Sequence, residues 1–145
     1  MSEFEVKPSA LFWILGIFFV LWNLMGCGIY LMDTLMSDGA YADAYGEKMA
    51  AAREFYPVWA TAAYATAVWG GLMASILFLL RRRLSATLFV LSLIAALICF
   101  IPTFTNDVLR EAGGSTFWVM PLIVVILGCA EVFYSRKQVA KTILR

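Results

Sequence analysis

LSATLFVLSLIAALICFIPTFT, from Leu84 to Thr105, contains no charged residue. A bilayer's hydrocarbon core is about 30 Å thick and takes roughly 20 apolar residues in helical form. In lipid the backbone has to satisfy its own hydrogen bonds, so such a stretch is a helix rather than a strand. The segment therefore predicts a transmembrane helix. Working outward, three more stretches read the same way: residues 10–32, 57–80 and 116–134. The last is the shortest and the only one to hold an acid, Glu131.

Composition agrees with this reading. Of the 145 residues, 63% are hydrophobic and 14% charged, against roughly half and a quarter in soluble domains. So small a globule cannot hide that much apolar surface, and the excess faces lipid. No linker, low-complexity tract or internal repeat divides the chain. Residues 1–145 read as one all-α domain, a four-transmembrane-helix bundle.

Lysine and arginine set the expected orientation. Lys7, the triplet Arg81, Arg82 and Arg83, and Arg136, Lys137, Lys141 and Arg145 fall on one side. Lys48, Arg53 and Arg110 fall on the other, and eight plus three accounts for all eleven. The richer side is expected to be cytoplasmic, with both termini there (N-in, C-in). Glu3 and Glu5 against the single Lys7 do not make a signal-peptide n-region. Aromatics such as Trp13, Phe133, Trp59 and Trp118 mark the interfaces. The Arg81 to Arg83 turn is tight, so the second and third spans are antiparallel neighbours. In the first outer loop, 33–56, Tyr41, Tyr45, Met49, Ala52 and Tyr56 recur at helical spacing. They predict one short amphipathic helix lying at the outer surface or capping the bundle.

Several functions are excluded. The chain has no histidine, and its three cysteines, Cys27, Cys99 and Cys129, lack paired spacing. The usual metal and haem ligand and the commonest general base are thus missing. No metal site, no cofactor and no catalytic residue is expected. A net charge of +1 offers no overall field for nucleic acid.

Four features carry what chemistry there is. Ala60, Ala63, Ala67, Gly71 and Ala74 make a small-residue face on the second span, the kind along which membrane helices approach closely. Asn23 lies mid-span and needs a partner. Depth counting offers Thr66, with Trp22, Tyr64 and Trp69 at a similar level. An amide beside flat rings suits a polar ring-shaped solute such as a sugar, so Asn23, Trp22, Thr66 and Trp69 form the expected ligand-binding set. Glu131 is the intramembrane acid. It is expected about one turn from the cytoplasmic end, within reach of Arg81, Arg82, Arg83 or Arg136. Cys27 and Cys99 have matching depths, which would suit a disulfide, although membrane cysteines more often serve simply as small apolar residues.

Leu21-Trp22-Asn23-Leu24-Met25-Gly26, Pro57-x-Trp59-Ala60 at the start of the second span, and the arginine turn resemble a set of small bacterial four-helix membrane proteins. Some of these carry a sugar-transporter label. The resemblance implies the fold and a bacterial inner membrane, and it carries no functional residues with it. The expected function is a non-enzymatic accessory or self-associating bundle whose partners are the bilayer and a second copy or another membrane protein. The alternative is an oligomeric small-solute transporter or channel, sugar-like in its solute.

Overall fold

The computed structural model describes residues 7–145, so Glu3 and Glu5 lie outside the described residues. It contains seven α-helices: α1 (Ala10–Leu35), α2 (Asp38–Tyr45), α3 (Glu47–Ala52), α4 (Val58–Leu79), α5 (Leu84–Thr105), α6 (Asp107–Ala112) and α7 (Val119–Ala140). No strand forms among the described residues. Four helices, α1, α4, α5 and α7, are long and apolar enough to cross a membrane. At 1.5 Å per residue, the 22 residues of α5 span about 33 Å. The chain is built as a multi-pass membrane protein, with apolar side chains such as Ile14, Leu24, Leu91 and Ile126 turned outward.

α1 packs on α4, α4 on α5 and α5 on α7. The ring closes differently, because the backbones of α1 and α7 make no comparable approach. Side chains bridge that seam instead. One end of the bundle carries the α4–α5 turn; the other carries α2, α3 and α6.

The turn end is sealed. Phe12 and Phe19 of α1, Phe78 of α4, Phe89 of α5 and Tyr134 of α7 form one aromatic cluster. Phe12 and Phe78 stack at 4.5 Å, and Phe19 meets Phe89 edge-on at 5.8 Å. Such pairs contribute about 0.5–1.5 kcal/mol each beyond their burial. Ile143 and Leu144 close the cluster from below. The backbone of Arg145 exchanges hydrogen bonds with Arg83 (2.8 Å) and Arg81 (2.7 Å), pinning that segment to the turn.

Three boundaries differ from expectation. α7 runs to Ala140, six residues past the apolar stretch that ends at Tyr134. No Gly or Pro interrupts those residues, and Arg136 and Lys137 suit the negative end of the helix dipole. α1 likewise continues to Leu35. The single amphipathic helix expected in the first loop is two, α2 and α3. They are broken at Gly46, whose φ of 90° a side-chained residue rarely adopts.

Candidate functional site

The floor of the site is a polar layer resting on the aromatic cluster. Asn23 lies one turn beyond Phe19 on α1, Ser92 one turn beyond Phe89 on α5, and Glu131 one turn before Tyr134 on α7. Each helix thus offers an aromatic ring to the seal and a polar group or a glycine to the layer above it. The Asn23 Nδ2 donates to Glu131 Oε1 at 2.6 Å and to the Phe19 carbonyl at 2.9 Å. Ser92 Oγ donates to the Ala67 carbonyl at 2.7 Å. Asn23 and Glu131 are 7% and 5% exposed, so this pair is largely buried. Among the described residues no second hydrogen bond reaches the Glu131 carboxyl group.

Gly71 supplies the fourth side of the layer. A Cβ built there would overlap Asn23 Oδ1 and stand 3.0 Å from Ser92 Oγ. Only a glycine lets α4 come this close. Ala60, Ala67, Gly71 and Ala74 are buried and Ala63 is half-buried. Ala67 packs beside Ala95 and Ala96 of α5. The small face of α4 is therefore occupied within the chain.

Above this floor lies a cavity of about 850 Å³. That is within the range of pockets that enclose small molecules, roughly 300–1,000 Å³. α1 and α7 form its sides, α4 and α5 its back, and α2 and α3 the far rim. Its wall is mainly apolar and rich in rings: Trp22, Tyr64, Phe100 and Phe117, with Tyr41 and Tyr45 at the rim. Tyr64 is held edge-on by Tyr30, centroids 5.1 Å apart.

Arg53 organises the rim. Its guanidinium donates to the backbone carbonyls of Asp33 (2.6 Å) and Met36 (3.2 Å), approaches Asp38 at 3.4 Å and lies 4.9 Å from the Tyr41 ring centroid. The Tyr45 hydroxyl lies close to the Asp33 carboxylate, whose Oδ1 is buried without a partner among the described residues. Burial pushes the Tyr45 phenol above its ordinary value, and the neighbouring Asp33 adds to the shift. Burial likewise raises Tyr56, which donates to the Cys99 carbonyl at 2.7 Å and ties the loop to α5.

Several expectations need correction. Trp22 and Asn23 line the cavity, but Thr66 and Trp69 do not. Thr66 is exposed and bonds the Ala62 carbonyl of its own helix at 2.9 Å, and Trp69 is 46% exposed. Along α4, Trp69 is about 3 Å and Thr66 about 7.5 Å from Gly71 and the level of Asn23, and both lie on another side of the helix. Five residues from Gly71 is about 140° around a helix, and two residues is about 160°. Glu131 is near the middle of α7 rather than a turn from its end, because the helix continues to Ala140. Its partner is Asn23, and no arginine pairs with it. Cys27 and Cys99 are free thiols; Cys27 donates to the Val68 carbonyl and Cys99 to the Ala96 carbonyl. Ser92, Asp33 and Tyr45 were missed. The spacing of Tyr41, Tyr45 and Met49, read as a helix at the outer surface or capping the bundle, was the available signal for the rim.

No family model, curated protein or solved structure matches the chain. Function has to be argued from the site.

Proposed function

We propose that this protein is a non-enzymatic small-solute carrier of a bacterial inner membrane, both termini cytoplasmic, working as a homo-oligomer. The observation that supports this is the cavity, which penetrates the bundle from the α2–α3 rim to Asn23 and Glu131 and is stopped by the aromatic cluster. The excess of Lys and Arg at the turn end makes that end cytoplasmic in this reading, so the cavity faces outward. One copy of four helices encloses too little for an alternating-access path, and a second copy supplies the moving partner.

The small face of α4 is filled within the chain by α1 and α5, so in this reading the seam to a second copy lies on other helix faces. The test is solute protection of the purified protein. A panel of sugars, amines and carboxylates is screened by thermal shift against the parent and against Ala96→Phe, which fills the cavity from its back wall. A solute that raises the melting temperature of the parent alone supports the proposal. No effect from any class, with the parent eluting as a complex with another protein, returns the accessory reading.

A further inference from the structure

The floor of the cavity has an electrical imbalance. Glu131 is a carboxyl group in the middle of a membrane helix, 95% removed from solvent. Asn23 is its one hydrogen-bond partner among the described residues, through Oε1. Among the described residues no basic side chain pairs with it. A buried carboxylate is costly unless a proton or a cation balances it. Higher in the cavity, Asp33 presents a second carboxylate with an unpartnered oxygen. The lone cation of the lining, Arg53, is already engaged by Asp38 and by two backbone carbonyls.

The wall between these acids is made of rings. Trp22 stands at the level of the floor beside Asn23, Tyr64 lies about two turns of α4 nearer the rim than Gly71, and Tyr41 and Tyr45 stand at the rim. Indole and phenol faces attract cations through their quadrupoles, by about 0.5–1 kcal/mol when exposed and about 2 or more when desolvated. They also cover apolar surface. A neutral polyol would leave the charge of a Glu131 carboxylate unbalanced, and an anion would meet two carboxylates.

Resting on the pocket reading above, we propose that the occupant is an amphipathic organic cation, its charged group against Glu131 and its apolar body along Trp22 and Tyr64. Asn23 is a positioning residue: by holding Oε1 it turns Oε2 toward the cavity.

The experiment is equilibrium dialysis on the full chain in nanodiscs of neutral lipid, so that charged headgroups do not collect the probe. The probes are tetraphenylphosphonium and the uncharged three-ring compound triphenylphosphine oxide, with glucose as the hydroxylated control. The expected result is saturable binding of the phosphonium about tenfold or more tighter than the oxide. Glu131→Gln should remove that preference. If Glu131→Gln does not fold, the comparison of charged with neutral probe on the parent decides. Equal binding of the two, or binding of glucose alone, overturns the cation inference and leaves the cavity as a solute site. No binding of any probe, with Ala96→Phe indistinguishable from the parent, overturns both.

Discussion

Gly71 of α4 backs directly onto the side-chain oxygen of Asn23 on α1, with no room between them for a methyl group. The neighbouring Gly70 has a different environment: a Cβ there would come no closer than 3.9 Å to Ser92. Two adjacent glycines on one helix therefore answer to different causes.

Gly71→Ala is expected to displace Asn23 from Glu131 and to destabilise the bundle by about 1–3 kcal/mol, the usual cost of overpacking. Gly70→Ala should leave the melting temperature equal or higher, since alanine is the better helix former. Thermal unfolding in detergent checks both. Equal melting of the two variants would show that α4 does not press on Asn23.

Asn23 and Glu131 should behave as one unit. Removing one of them strands the other in a dry site, which is the expensive outcome, whereas removing both can be nearly neutral. Asn23→Leu with Glu131→Leu should thus cost about 1–3 kcal/mol less than the sum of the singles. Thr66→Val should add independently to Asn23→Leu, because Thr66 bonds its own helix. A double-mutant cycle in a reversible unfolding assay measures both couplings, and additivity in the first would mean the pair does not form.

At alkaline pH the Tyr56 phenol provides a readable linkage. Burial raises its pKa above the ordinary value of 10.0, so the folded protein keeps a proton that the unfolded chain releases. Stability from this group is complete below pH 10 and falls as pH climbs toward the folded value. The melting temperature should therefore drop above about pH 10, and Tyr56→Phe should flatten that slope. Tyr56→Phe also loses the bond to the Cys99 carbonyl, so its melting temperature should be lower at neutral pH. A slope unchanged by Tyr56→Phe would place the alkaline transition elsewhere.

The topology makes a prediction of its own. In a background lacking Cys27, Cys99 and Cys129, a cysteine at Ser37 should react with an impermeant maleimide in whole cells, and one at Lys141 should react after lysis alone. The reverse pattern would turn the cavity toward the cytoplasm.

Much of this was legible in the sequence. Charge-free stretches of the right length identify four helices because lipid enforces a simple rule: twenty apolar residues, no breaks. The small face of α4 was legible for the same reason, since close approach demands small side chains. What failed was azimuth. Counting from the helix ends gives depth but not the direction in which a side chain points, so Thr66 and Trp69 were grouped with Asn23. It failed again at Glu131, where hydropathy stopped at Tyr134 although the helix does not. The Asn23–Glu131 pair joins residues 108 positions apart, beyond the reach of any local pattern.

That separation also sets an order of events during synthesis. Asn23 leaves the ribosome with the first span and Glu131 with the last, on the order of ten seconds later at roughly 5–20 residues per second. Throughout that interval α1, α4 and α5 can assemble side by side, since each neighbour in space is also the next span in sequence. The nascent chain then holds an amide in lipid with no acceptor from α7, and the acid-bearing helix is the last to arrive. Its entry is aided by a partner already waiting at the correct depth. Truncation before α7 would leave an open three-helix sheet with a polar stripe along one edge, the kind of half-finished product that membrane quality control removes.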